Sequence, residues 1–189
     1  MRRVSIAESL VWLLAVLLVA GIVHISSVLL LPQVAARNSF VRLSPLAPPQ
    51  GFRILPTPAP ADESLPFTDP GVTLAICRFD LGASPWRIRV GIDSEALTSL
   101  SFHSRRGDVF HTLTDRAALR GRLDVVLGTA AQIEAAEATD TEDAPVKEVR
   151  LASPSQTGLV VVRAMASNAA GAEVLKQRIE AGECRPAAE

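Results

Sequence analysis

The chain has no tyrosine, and its other aromatics reach only 4% of 189 residues. That scarcity argues against an aromatic-lined sugar site and against a surface on which bases stack. Net charge is missing too: 19 Lys and Arg against 20 Asp and Glu leave −1. No whole-molecule field therefore draws nucleic acid or anionic lipid, and no nucleic-acid partner is expected. Cysteine occurs twice and histidine three times. Cys77 and Cys184 stand far apart, without the Cys-x-x-Cys spacing of a redox site or the clustered histidines of a zinc site. There is no Gly-x-Ser-x-Gly elbow for a serine nucleophile. The acids Glu134, Glu137, Asp140, Glu142 and Asp143 lack the glycine and ligand spacing of a calcium loop. No cofactor or metal is expected.

One further absence is local and decisive for organisation. From Leu10 to Leu31 the chain carries no charge, broken only by Gly21, His24, Ser26 and Ser27. As a helix this run measures about 33 Å, enough to cross the hydrocarbon layer of a bilayer. Arg2 and Arg3 precede it, which by the positive-inside rule predicts a cytoplasmic tail over 1–9 and export of everything after the span. Arg37 and Arg42 on the far side oppose that orientation. The alternative is a signal peptide cleaved after Ala36, with Val34-Ala35-Ala36 supplying small residues, but the run exceeds the usual apolar region of such peptides. His24 and the serine pair are expected to bond back to the helix or reach the interface rather than form an ion site.

Between Ser44 and Pro70 stand eight prolines, Pro45, Pro48, Pro49, Pro56, Pro58, Pro60, Pro66 and Pro70. Proline lacks a donor and pushes its predecessor toward extended backbone, so 32–70 is predicted to be a non-helical spacer. The folded domain is predicted over 71–184, with 185–189 as a tail. Trp86, Ile88, Val90 and Ile92 alternate with Arg87, Arg89, Gly91 and Asp93, the period of a half-buried strand. Val72, Leu74 and Ile76 alternate likewise, as do Leu100 and Phe102, with Gly107-Asp108 marking a turn. Apolar runs at 123–127 and 158–165 read as further strands. Helices are predicted from Thr129 to Ala138, with Thr129 as cap, and from Asn168 to Gly182, with Asn168 as cap and Gly182 as stop. The expected class is α+β: an N-terminal transmembrane helix, then a strand-dominated, largely antiparallel domain with a short helix and a C-terminal helix.

Three stretches carry a resemblance: Ala75-Ile76-Cys77-Arg78-Phe79-Asp80-Leu81, the Pro85-Trp86 strand opening, and the Asp115-Arg116 turn. With Gly-Ile-Val-His at 21–24, Leu-Val-Val-Val-Arg-Ala at 159–164 and a late cysteine in the same order, the chain resembles small membrane-anchored members of the family known as domain of unknown function 1254. The family's aromatic and acid after the Pro-Trp strand are Gly91-Ile92-Asp93 here. Its Tyr-Ser-Phe-Asn-Asp-Arg-like stretch is Phe110 to Arg116. The resemblance implies a bacterial envelope protein with an exported, β-rich domain. It brings no reaction and no catalytic residues.

Placed in the periplasm, Cys77 and Cys184 are expected to pair as a clasp between the first strand of the domain and its final helix. His103 and His111, with Asp108 and Arg116, are the residues from which a dispersed site could assemble. Against that, His103 falls opposite Leu100 and Phe102 and reads as a solvated strand residue. The basic set Arg105, Arg106, Arg116, Arg120 and Arg122 reads as a scattered wetted face. The expectation is a single-pass inner-membrane protein whose periplasmic domain binds or assembles with an envelope partner through the span, the spacer or a sheet edge. An envelope enzyme is the alternative.

Overall fold

A computed structural model describes residues 6–34, 39–56, 69, 71–93, 95–140 and 147–187. Arg2, Arg3, Ala35, Ala36, Pro58, Pro60, Pro66, Pro70, Glu142 and Asp143 lie outside the described residues. The chain divides into two units, 1–37 and 38–189.

The first unit is one helix, α1 (Ile6–Val34), whose apolar side chains from Ile6 to Leu31 are exposed around its circumference. Its segment Ile6–Leu31 is long and apolar enough to cross a membrane. A helix with apolar residues on every side has no wetted face to turn toward water.

The second unit is an α+β sandwich. One sheet has the order β1-β2-β8-β4-β5, built from β1 (Arg53–Ile54), β2 (Val72–Asp80), β4 (Leu97–Ser104), β5 (Val109–Thr114) and β8 (Thr157–Met165). The other has the order β7-β6-β3-β9, from β3 (Trp86–Gly91), β6 (Arg122–Gly128), β7 (Val149–Ala152) and β9 (Glu183–Pro186). All pairings are antiparallel except β6 with β7. That parallel pair needs a crossover, supplied by α3 (Ala130–Glu137). Thr129 caps α3 in a capping box: its hydroxyl accepts from Gln132 N–H, and the Gln132 side chain accepts from Thr129 N–H. Asn168 caps α4 (Ala169–Glu180) through Gly171 N–H.

Alternation along the strands builds the core. Ala75, Cys77, Phe79, Leu100, Phe102, Val160 and Val162 from the first sheet meet Trp86, Ile88, Val90, Leu123, Val125 and Leu127 from the second in one buried cluster. Gly158 has no side chain because none fits. A Cβ there would fall on the His103 carbonyl and the Phe79 ring. Cys77 on β2 and Cys184 on β9 are disulfide-bonded, 107 residues apart in sequence, so the bridge joins the two sheets through the core.

Three expectations change. The cysteine clasp ends on a strand beyond the final helix, because 183–186 pairs with β3. The tail expected from 185 is correspondingly part of that strand, and Ala187 N–H donates to Pro85 O. The spacer is also not extended throughout. Ser39–Leu43 forms a short helix, α2, and Arg53–Ile54 adds to β2 as an edge. Leu43 and Leu55, with Phe40, Leu46 and Ala47, cover Ile76, Leu159 and Val161 on the outer face of the first sheet. Burial of those leucines holds a segment whose prolines would otherwise leave it extended.

Candidate functional site

The β4–β5 hairpin carries three of the four residues from which a dispersed site was expected, and the fourth follows it. β4 alternates cleanly, with Leu100, Phe102 and Ser104 buried and Ser99, Ser101 and His103 on the outer face. Gly107 makes the connection, with the positive φ of 87° that glycine tolerates best. Its N–H donates to Ser104 O, and Ser104 N–H donates to Asp108 O.

His103 is half-buried rather than solvated. One ring nitrogen, Nε2, lies 3.0 Å from Ser101 Oγ, and Nδ1 lies 3.3 Å from the Gly107 carbonyl. That carbonyl also accepts from Ser39 Oγ at 3.2 Å, fastening the start of α2 to the hairpin. Burial pushes the His103 pKa below the ordinary histidine value and the Arg163 charge acts in the same direction, while the Gly107 carbonyl opposes. The neutral form of His103 is thus favoured, with the ring placed between the Gly107 carbonyl and the Ser101 hydroxyl. This is the one nucleophile-and-base contact in the hairpin.

The other three members do not join it. His111 stands opposite Phe102, its ring tilted against the phenylalanine with centroids 6.4 Å apart, so it faces inward while His103 faces outward. A register shift between Phe102 and His103 marks a bulge at this point. Asp108 is exposed in the turn and pairs loosely with Arg106 at 3.7 Å. Arg116 is exposed in the 3₁₀ turn Asp115–Ala117 at the far end of β5. Six residues of strand separate those two ends, roughly 20 Å. No group of three His, Cys, Asp or Glu side chains with metal-binding geometry occurs among the described residues.

A second cluster, not foreseen from sequence, lies on the outer face of the other sheet. Asp124 on β6 accepts from Arg87 Nε at 3.0 Å and from Arg89 Nε at 2.8 Å, both on the neighbouring β3. Glu148 bonds Arg87 and Arg150, and Arg150 holds Asp140 in a two-pronged contact of 2.6 and 2.8 Å. Arg89 reaches Glu183 on β9 at 3.5 Å. The Arg150 hydrogen bond lowers the Asp140 pKa, and Asp124 raises that of Arg89. The signal was present in Arg87-x-Arg89, but only strand pairing shows that Asp124 answers both. This ladder satisfies its own charges, and its chemistry is cohesion between strands.

The hairpin's remaining property is its edge. β5 ends the five-stranded sheet, and no strand pairs with its outer side among the described residues. Ser104 donates toward β5, so the even-numbered residues of β4 turn their main-chain groups that way. Their opposites, Leu113 and His111, answer them. By the alternation of antiparallel pairing, Thr112 and Thr114 aim their N–H and C=O groups at the open side.

Fold and hairpin together define the class: an α+β sandwich with an open strand edge, preceded by a helix able to cross a membrane. No protein-family model matches the chain, and no curated protein matches it. Among solved structures it is similar to the VPA0106 protein of Vibrio parahaemolyticus, with a TM-score of 0.50 and 15% identity, over 64% of this chain and 29% of that one. It is also similar to an uncharacterised protein of Burkholderia cenocepacia, with a TM-score of 0.44 and 15% identity, over 78% of this chain and 40% of that one. The chain therefore spans less than half the length of either. At this identity the first likeness speaks to fold alone.

Proposed function

We propose that the chain is a single-pass bacterial inner-membrane protein, N-terminus in the cytoplasm, that presents its sandwich in the periplasm to bind or assemble with an envelope partner. The observation that carries the reading is the Cys77–Cys184 bridge between the two sheets. Such bridges persist in oxidising compartments and are rare in a reducing cytosol. The exposed apolar α1 supports it, since its circumference needs lipid or another apolar cover. The Arg2-Arg3 tail supports the orientation. Kinship with the family known as domain of unknown function 1254 belongs to the same proposal and rests on the collinear residues given above.

The experiment is a C-terminal fusion of the full chain to paired reporters, one active only when exported and one only in the cytosol. Activity of the exported reporter, with protein that resists alkaline extraction of membranes, is expected. A cytosolic signal, or release by alkali, overturns the reading. Intact mass of the mature chain separates retention of α1 from cleavage after Ala36. The alternative of an envelope enzyme is favoured by one observation, the 3.0 Å contact between Ser101 and His103. Labelling of the wild-type chain but not Ser101→Ala by a fluorophosphonate probe tests it.

A further inference from the structure

We propose that α1 pairs in parallel with α1 of a second copy of this chain, along a row that carries Gly21 and His24. The inference rests on the anchored reading above and names the partner of the span.

α1 is helical without interruption from Ile6 to Val34, so residues spaced alternately three and four apart share one face. Leu14, Leu17, Gly21, His24, Val28 and Leu31 follow that spacing. It is the repeat by which two helices keep one seam in contact while they wind about each other. Leucine and valine also line the rest of α1, so the discriminating members are Gly21 and His24. Of the four residues that break the charge-free run, these two stand on the row, and Ser26 and Ser27 stand off it. Glycine weakens a helix relative to other residues. Nothing within α1 asks for it here, since a Cβ at Gly21 would meet no atom within 4 Å beyond its own helix backbone. On a seam, the missing side chain lets a second backbone come close.

Depth sets what His24 needs. It stands seven residues inside Leu31, about 10 Å along the helix axis, too far for an imidazole to reach the interface. His24 is exposed on α1, and neither ring nitrogen has a hydrogen-bond partner among the described residues. In hydrocarbon an unpaired polar group is costly, and an ionisable side chain within a span turns toward a partner. Two features choose a second copy. Copies of one chain enter the bilayer in the same direction, so they lie parallel and bring position 24 to position 24 at equal depth. A neutral imidazole has one N–H donor and one nitrogen acceptor, so one ring donates to the bare nitrogen of the other. A lysine or an aspartate there would repel its own copy, whereas histidine complements itself. Confinement to one bilayer raises the concentration at which two spans meet.

The test uses the full chain in native membranes, where Cys77 and Cys184 are already bonded and buried. With Leu17→Cys or Val28→Cys on the row, mild oxidation is expected to give a band of twice the chain's mass. Val19→Cys and Ile22→Cys, on the far side of the helix, are expected to give none, because their sulfurs are held too far apart to bond. In the Leu17→Cys chain, His24→Leu is expected to lower the dimer about threefold to tenfold, the range for one hydrogen bond between helices in lipid. His24→Asn, which keeps a donor and an acceptor, is expected to retain it. Gly21→Leu fills the seam and is expected to lower the dimer as well. Equal cross-linking on both sides of the helix, no dimer, or His24→Leu without effect overturns the proposal. If the exported reporter stays active in those cases, the anchored reading survives, whereas a cytosolic signal defeats both. A Leu17→Cys adduct with a chain of another mass overturns the second copy as partner.

Discussion

Removing the Cys77–Cys184 bridge should cost the sandwich a large part of its stability. In the chain-entropy account, a cross-link stabilises by restricting the unfolded chain, and the effect grows with the logarithm of the loop it closes. The loop here is 107 residues in sequence separation, which gives about 4–5 kcal/mol. Whole domains are stable by only about 5–15 kcal/mol. Both cysteines are buried within the shared core, so truncation to alanine also removes packing atoms and adds to the loss. At a urea dependence of about 2 kcal/mol per molar, the unfolding midpoint of Cys77→Ala/Cys184→Ala should fall by roughly 2 M. Trp86 is a suitable reporter, being buried and hydrogen-bonded to Asp80 O. Trp12 in α1 is replaced by phenylalanine in the background, and the full chain is measured in detergent. The wild type under reductant provides the same comparison without a sequence change. A midpoint shift below about 0.5 M in both comparisons would refute the argument that closing this loop is what stabilises the fold.

Gly158→Ala should destabilise by about 2–3 kcal/mol in the same urea assay, because its Cβ would fall on the His103 carbonyl and the Phe79 ring. Asp124→Asn should cost about 1–2 kcal/mol, between exposed and buried ion pairs, since both Arg87 and Arg89 bond that carboxylate. That loss should shrink in high salt, and a salt-independent value would count against the ladder. His103 has a lowered folded-state pKa, so the unfolded chain binds the extra proton more readily and stability falls as pH drops below about 6.5. The contribution is fully present above that pH, and His103→Gln should flatten the stability profile between about pH 7.5 and 5. An unchanged slope in the variant would remove His103 as its source.

Where one local pattern decides the structure, the chain could be read directly. The charge-free run at 10–31 lies in one helix, the alternation from Trp86 to Val90 lies in β3, and Thr129 and Asn168 cap the two helices they precede. Elements decided by partners were hidden. Glu183–Pro186 holds two charges and a proline, and only pairing with β3 makes it a strand. Ser39–Leu55 sits in proline-rich surroundings, yet Leu43 and Leu55 are buried against β2 and β8, a tertiary effect no window of sequence displays. The site divides the same way. That His103 lies on the outer face of β4 followed from period two, whereas its contact with the Gly107 carbonyl, which Ser39 at the start of α2 also bonds, is a tertiary arrangement. The uncharged 109–114 segment was visible from the start. That it ends a sheet is a matter of strand order.

That strand order also separates what must stay fixed from what can pair. The bridge ties β2 to β9, while β1 and α4 pack on the same side of the sandwich. From β2 the sheet runs through β8 and β4 before it reaches β5. Three strand spacings put the open edge about 14 Å from the bridged strand. At that distance the main-chain groups at the open edge make no contact with the bridge, although Leu113 of β5 shares its core cluster. The cross-sheet bond can therefore hold two sheets together without using the main-chain groups of the open edge. Conversely, an edge that accepts another strand gains main-chain hydrogen bonds without asking the core to repack. A sandwich closed by covalent linkage at one end of a sheet and left uncharged at the other can be both rigid and open to assembly.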